Sequence, residues 1–386
     1  MQLADRVFRL GTETAFEVLA RARKLEAEGK KIIHLQIGEP DFTTPKNICD
    51  AAIKAIQNGY THYTPAAGIM EVRKVIADYV SRTREINVSP ENVVITPGGK
   101  PIMFYTMLAL IGKGDEVIYP NPGFPIYESM INFAGGTAVP LPLREENNFD
   151  IDVNEFEKLV TNRTKLVIIN SPGNPTGRTI SKKDIEKIAE MLKNKDTYIL
   201  SDEIYSRILY DNAECFSISK IDGFKDRTII LDGFSKTYAM TGWRAGYGIF
   251  NTDLVPIISK LMVNSNSCTN AITQMACIEA LTGPQTEIDK MVAEFKKRRE
   301  VLVKGLNSIP GFSCLTPNGA FYAFPNISKT GYKSKALADK LLLEAGVATL
   351  AGTSFGKFGE GYLRVSYANS IENINLAIEK IKDNLK

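Results

Sequence analysis

Apolar and polar positions along the chain fall into two alternating rhythms. Residues 13–28 repeat apolar positions at helical spacing and stop at Gly29, which predicts an amphipathic helix. A short strand at 32–37 follows, and then the turn-forming cluster Gly38-Glu39-Pro40-Asp41. Between residues 45 and 250, helix-period segments alternate with short β-branched apolar runs at 93–96, 116–119, 166–170, 198–201, 228–231 and 246–250. Runs this short, apolar on both faces and separated by amphipathic helices, predict a mostly parallel sheet covered on each side. Ligands in such sheets bind beyond the carboxyl ends of the strands. Residues 253–307 read as helical, with the charged stretch 294–300 exposed on one long helix. The remaining chain changes character. Strands near 319–324, 347–350 and 361–367 and a closing helix from 371 predict a smaller α/β domain, completed by the N-terminal helix.

Length and charge narrow the choices. A chain of 386 residues exceeds what one hydrophobic core holds, so two domains are expected. Basic and acidic residues nearly balance, 47 against 44, which argues against nucleic acid or a membrane surface as partner. The five cysteines are scattered, with no CxxC pair, and only two histidines accompany them. That pattern fits free thiols in a reducing compartment and no metal site. The N-terminal stretch is charged from Asp5 and Arg6 onward, with no apolar h-region. No run approaches the ~20 apolar residues needed to span a bilayer. A cytoplasmic location is the expectation.

Candidate chemistry gathers just after the apolar runs. Thr96-Pro97-Gly98-Gly99-Lys100-Pro101 joins a strand to a helix. Its glycines allow close backbone approach, and the helix start offers unpaired N–H groups to an anion, so it reads as a phosphate cup or as a plain tight turn. It is not a P-loop, since GxxxxGK[ST] is absent. Ser171-Pro172-Gly173-Asn174-Pro175-Thr176-Gly177 reads as a rigid turn. Ser201-Asp202-Glu203-Ile204-Tyr205 closes a buried run with two acids. These read as a helix cap, as a magnesium pair that the missing P-loop disfavours, or as a carboxylate facing a pyridinium nitrogen. Asp232-Gly233-Phe234-Ser235-Lys236 places a lysine beyond a buried strand. Desolvation there would depress its pKa and favour Schiff-base chemistry; the alternative is a solvated loop lysine. Arg364 shares one strand face with Ser366 and is either exposed or a bidentate grip for a carboxylate. No GxGxxG opens a strand–helix unit, which excludes a dinucleotide-binding dehydrogenase.

In their order along the chain, GEPDF, HYTPAAG, GGK, SPGNPTG, SDEIY, SK, MTGWRAGY and LRVSYA resemble the class I/II aminotransferases of pyridoxal-phosphate fold type I. The aspartate aminotransferase-like subgroup is the nearest pattern, and the match runs from residue 5 to the final helix. The resemblance implies an α/β fold with a large domain (45–285), whose mostly parallel seven-stranded sheet lies between helices. A smaller α/β domain (286–386) would be joined by an N-terminal arm (1–44). It implies pyridoxal 5'-phosphate as cofactor, small amino acid and 2-oxo acid substrates, and a homodimer. Lys236 would hold the cofactor covalently and then shuttle a proton. Asp202 would pair with the pyridine nitrogen. Asn174 and Tyr205 would bond the ring hydroxyl, and Phe124 would stack on the ring. Arg244, Ser235 and the backbone at Gly99-Lys100 would hold the phosphate, with Tyr63 reaching into a neighbouring subunit's phosphate site. Gly38, Asn174 and Arg364 would bind the substrate α-carboxylate.

Two departures from the pattern, Gly233 where many relatives carry serine and Gly98 at the first position of the cup, imply somewhat weaker cofactor binding. Lys100 would either reach the distal carboxylate of aspartate or glutamate or add a cation near the phosphate. Phe16, Phe124 and Ile126 would favour aromatic or aliphatic substrates. Aspartate with 2-oxoglutarate is the leading pair. A C–S β-lyase would keep the cofactor and change the reaction. A cofactor-binding regulator would carry an N-terminal DNA-binding domain, whereas this pattern begins almost at once.

Overall fold

The computed structural model describes residues 3–385. In chain order the strands are β1 Ile33–His34, β2 Val93–Thr96, β3 Glu116–Asn121, β4 Thr137–Pro142, β5 Thr164–Asn170, β6 Tyr198–Asp202, β7 Thr228–Gly233, β8 Gly246–Ile249, β9 Tyr322–Ala323, β10 Val347–Ala348, β11 Leu350–Ala351 and β12 Leu363–Ser366. Seven of them form one sheet in the order β2-β8-β7-β6-β5-β3-β4. Strands β4, β3, β5, β6 and β7 run parallel, while β8 is antiparallel to both of its neighbours. Valine and isoleucine dominate these strands because both faces are covered. Alternate residues divide between the faces: Val117, Leu166, Ile168, Leu200 and Leu231 pack with helices Lys100–Leu110, Ile126–Ala134 and Val255–Val263. Ile118, Val167, Ile169 and Ile199 pack with helices Val153–Leu159 and Lys182–Leu192.

One strand of the seven escapes the hydrophobic pattern. β4 carries Pro140 and Pro142 and is only partly buried. Proline donates nothing to a ladder, so its presence argues against a strand; at the edge, where β4 lies, it is tolerated. The run at 347–350 also resolves into two strands: β10 pairs with β1, and β11 pairs with β12, which continues to β9. This second group shares a core with helices Thr286–Leu306 and Ile371–Asp383 through Phe295, Leu302, Ile374 and Ile378.

The stretch 294–300 is not uniformly exposed as its charges suggest. Arg298 and Arg299 are buried. Arg298 pairs with Asp41 at 2.7 Å, and Arg299 pairs with Asp211 at 2.6 Å. Their guanidinium groups lie 4.9 Å from the Phe42 ring and 4.7 Å from the Tyr210 ring, so apolar stems and flat cations fill the space together. No helix among the described residues is long and apolar enough to cross a membrane.

Behind the ends of β6 and β7 lies a buried ionic cluster. Arg84 donates to Glu203 and to Asp232, each at 2.8 Å; Tyr247 donates to Asp232 at 3.0 Å and Ser201 to Glu203 at 2.8 Å. Burial pushes the Asp232 carboxyl up to about 6 against the pull of Arg84. Arg84→Met strands two acids in the interior and should lower stability by about 3–5 kcal/mol in urea unfolding. A loss under ~1 kcal/mol would contradict this account of the cluster.

Candidate active site

Parallel pairing sets Asn170 beside Asp202, and Asp202 beside Leu231, at the carboxyl edge of the sheet. Two residues beyond β7 the chain reaches Ser235 and then Lys236. A cavity of about 520 Å³ opens at this edge. The strand ends and the start of helix Lys100–Leu110 form its floor, while Gly38, Tyr322 and Arg364 close it from the smaller group of strands. Of the residues singled out from the sequence, Gly38, Gly99, Lys100, Phe124, Asn174, Asp202, Tyr205, Ser235, Lys236, Arg244 and Arg364 all line it. Tyr63 does not; it lies on the surface, 90% exposed.

The Lys236 ammonium donates to the Gly38 carbonyl at 2.5 Å. Burial lowers its pKa to about 8; Glu13 and Glu39 oppose that shift, while Arg364 and Lys100 add to it. Asp202 moves the other way. Burial raises its carboxyl to about 6, even though Tyr127 donates to Oδ2 at 2.6 Å and the Ile204 amide to Oδ1 at 3.3 Å. The Tyr205 and Tyr322 hydroxyls bond each other at 2.7 Å, deep enough that both resist ionisation.

At one end of the cavity the backbone makes an anion cradle. Gly98 takes a φ of 90°, and the Arg244 guanidinium lies where a Cβ on that residue would project. Arg244 donates to the Thr241 carbonyl at 2.8 Å and the Pro97 carbonyl at 3.3 Å. Beside it, helix Lys100–Leu110 begins; Pro101 has no N–H and the Ile102 amide donates to the Gly99 carbonyl at 3.1 Å, which leaves the Gly99 and Lys100 amides at the helix start for an anion. The two glycine departures thus have steric reasons. At 98 the φ of 90° is one that L side chains rarely adopt, and a side chain at 233 would come within 2.9 Å of the Gly246 Cα across the β7–β8 ladder.

At the other end sits Arg364, buried rather than exposed. One guanidinium nitrogen donates to Asn174 Oδ1 at 3.2 Å and another to the Gln36 carbonyl, but Nε has no partner. Asn174 is itself held by its amide, which donates to Asn170 Oδ1 at 2.9 Å. An unpaired buried donor on a cation is costly unless a ligand supplies the acceptor. Lys100 stands at the mouth, 2.5 Å from Glu13 and 5.7 Å from the ring centres of both Phe16 and Phe124.

Among the polar lining residues, Tyr127, Tyr322 and Glu13 escape the sequence reading. Tyr127 meets Asp202 across 75 positions, and Tyr322 meets Tyr205 across 117. Helix periodicity marks Tyr127 only as a buried face, and nothing local marks the pairing.

A family model described as aminotransferase class I and II matches residues 30–381. The chain belongs to this family, uses its cofactor, pyridoxal 5'-phosphate, and is an aminotransferase. It is 39% identical to the aspartate aminotransferase of Bacillus sp. (strain YM-2), over 98% of each chain. It is 37% identical to the aromatic-amino-acid aminotransferase 2 of Thermococcus litoralis, over 100% of this chain and 99% of that one. Its fold superposes on the aspartate aminotransferase from Thermus thermophilus with maleate at a TM-score of 0.95, with 34% identity and all of both chains covered.

The residues present fit the cofactor. The side-chain-free cradle at Gly98 with Arg244 beside it suits a phosphate, a buried carboxylate suits a ring cation, and Lys236 is poised to lose its proton. Only the neutral amine attacks an aldehyde, so covalent uptake of pyridoxal phosphate by the apoenzyme should speed up as pH rises through about 8 and then level off. Stopped-flow absorbance would show this, and a rate still climbing toward 10.5, the ordinary lysine value, would contradict the depressed pKa.

Proposed function

We propose that the chain moves an amino group from an L-amino acid, aspartate foremost, to a 2-oxo acid such as 2-oxoglutarate by a ping-pong mechanism. The observation that carries this reading is one cavity holding a lysine depressed to about 8, a carboxylate raised to about 6 and an arginine with a free buried donor. When bound, pyridoxal phosphate supplies an electron sink at the substrate's Cα and stores the amino group between half-reactions.

The chain's residues supply the rest. Arg364, steadied by Asn174, takes the substrate α-carboxylate on its guanidinium, and the Gly38 backbone borders that position. Lys236 Nζ, which loses its proton as pH rises through about 8, takes the proton from Cα and hands it on. Asp202 is ionised at neutral pH and holds the proton of the ring nitrogen, while Tyr127 keeps its second oxygen in place. Tyr205, oriented by Tyr322, and Asn174 serve the ring hydroxyl, with Phe124 against the ring face. Gly99, the Lys100 amide, Ser235 and Arg244 take the phosphate.

The 90% exposure of Tyr63 supports a homodimer in which that side chain enters the neighbouring site. The free thiols support a cytoplasmic enzyme. One core that draws most of its residues from 291–381, joined by Ile33 and Leu35, supports domains at 45–285 and 286–386 with an arm at 1–44. Lys100, the one cavity cation among the described residues whose side chain is not assigned to the phosphate, the α-carboxylate or the proton, supports a distal carboxylate on the substrate, as does the name of the Bacillus relative.

Single amino acids mixed with the holoenzyme should convert its cofactor absorbance to that of the pyridoxamine form, with glutamate and aspartate among the active donors. A spectrum unmoved by any donor, with pyruvate released from β-substituted amino acids, would move the chain to β-elimination. Lys236→Ala should lower the conversion rate by roughly a thousandfold or more while the cofactor still binds noncovalently. Near-normal conversion in that variant would remove Lys236 from proton transfer. Tyr127→Phe should cut kcat/KM about tenfold, the worth of a hydrogen bond to a charged group. An unchanged kcat/KM would show that Asp202 needs no such support.

A further inference from the structure

Among the described residues, four cationic side chains face the cavity: Lys100, Lys236, Arg244 and Arg364. Three carboxylates line it, Glu13, Glu39 and Asp202, and two have evident places. Asp202 lies on the floor, bonded to Tyr127, and Glu39 accepts from the Thr241 hydroxyl. Glu13 is different. It is an anion set among the cations, 2.5 Å from Lys100 Nζ and close enough to be the foremost anionic influence on Lys236 and to act on Arg364 as well.

Glu13 has no local duty that explains its position. It precedes helix Thr14–Ala27, yet its side chain caps no amide of that helix. The segment is held without it, by the Gly11 amide donating to the Ser129 hydroxyl at 2.9 Å and by the burial of Ala15. The side chains of Lys100 and Glu13 are 45% and 22% exposed, so the pair is open to water and readily exchanged. On either side of the ammonium stand the rings of Phe16 and Phe124, at 5.7 Å each.

We propose that Glu13 is a built-in counter-ion occupying, on Lys100, the position that a substrate's distal carboxylate requires, and so sets the preference between dicarboxylic and apolar amino acids. The inference rests on the reading of Lys100 as the distal-carboxylate ligand. A dicarboxylic substrate exchanges one carboxylate for another on a single ammonium, and leaves Glu13 an unpaired like charge at the same mouth. An aromatic or aliphatic side chain displaces nothing, because the paired Lys100 and Glu13 present no net charge and the flanking rings offer apolar surface. Specificity thereby gains a repulsive element as well as an attractive one.

Half-reaction kcat/KM values for glutamate and phenylalanine, measured on holoenzyme for wild type, Glu13→Gln, Lys100→Met and the double variant, test this. Glu13→Gln should raise the glutamate-to-phenylalanine ratio about fivefold, the change matching an exposed ion pair of ~1 kcal/mol. Lys100→Met should lower the ratio, and on that background Glu13→Gln should raise it by less than in wild type, because the exchanged contact is gone and only the repulsion between Glu13 and the substrate carboxylate remains. If Lys100→Met lowers the ratio but Glu13→Gln leaves or lowers it, the role of Glu13 is overturned and that of Lys100 stands. If Lys100→Met leaves the ratio unchanged, both fall together.

Discussion

Parallel pairing is the constraint on which this structure depends. Six of the seven strands point the same way and must release their ends at one edge, so Asn170, Asp202 and the turn leading to Lys236 meet there. Delivering charged groups to the edge of a doubly covered sheet also buries them. The interior answers with Tyr127 on Asp202 and Arg84 between Glu203 and Asp232. The helices that cover the sheet thus do more than shield it. Met70–Arg84 ends in the compensating cation, and Ile126–Ala134 begins with the compensating hydroxyl one residue inside its start.

Burial acts on the two titrating groups of the site in opposite senses. It disfavours charge whatever its sign, so the amine of Lys236 falls to about 8 while the carboxyl of Asp202 rises to about 6. Each shift brings a group that is normally fixed in one state near neutrality. An acid that can hold a ring proton and a base that can take a Cα proton thereby coexist in one pocket. The cationic rim acts over a longer range: Arg364 and Lys100 help to depress Lys236, and Glu13 and Glu39 restrain them.

The fold was legible wherever one rule governed a segment. Apolar runs bounded by turn residues marked six strands of the large sheet, because those strands are buried on both faces. β4 stayed hidden because an edge strand with two prolines and a half-exposed face obeys no such pattern. Arg298 and Arg299 read as surface charges, and their burial depends on acids and rings supplied from distant segments. The site divided along the same line. Residues carried in short motifs, such as Lys236, Asp202 and Arg244, were legible, while Tyr127, Tyr322 and Glu13, which act through contacts far along the chain, were not. Gly233, which reads as a missing donor, faces the Gly246 backbone with no room for a side chain, and Gly98 holds a positive φ that favours glycine.

The central claim is that Lys236, alone among the lysines, joins the cofactor at the edge of the parallel sheet. Reduction of the holoenzyme with borohydride, followed by peptide mass spectrometry, tests it most directly. The pyridoxyl mass should appear on the peptide containing Lys236 and on no other, and should vanish in Lys236→Ala. A label on Lys100, or one spread over surface lysines, would contradict the account.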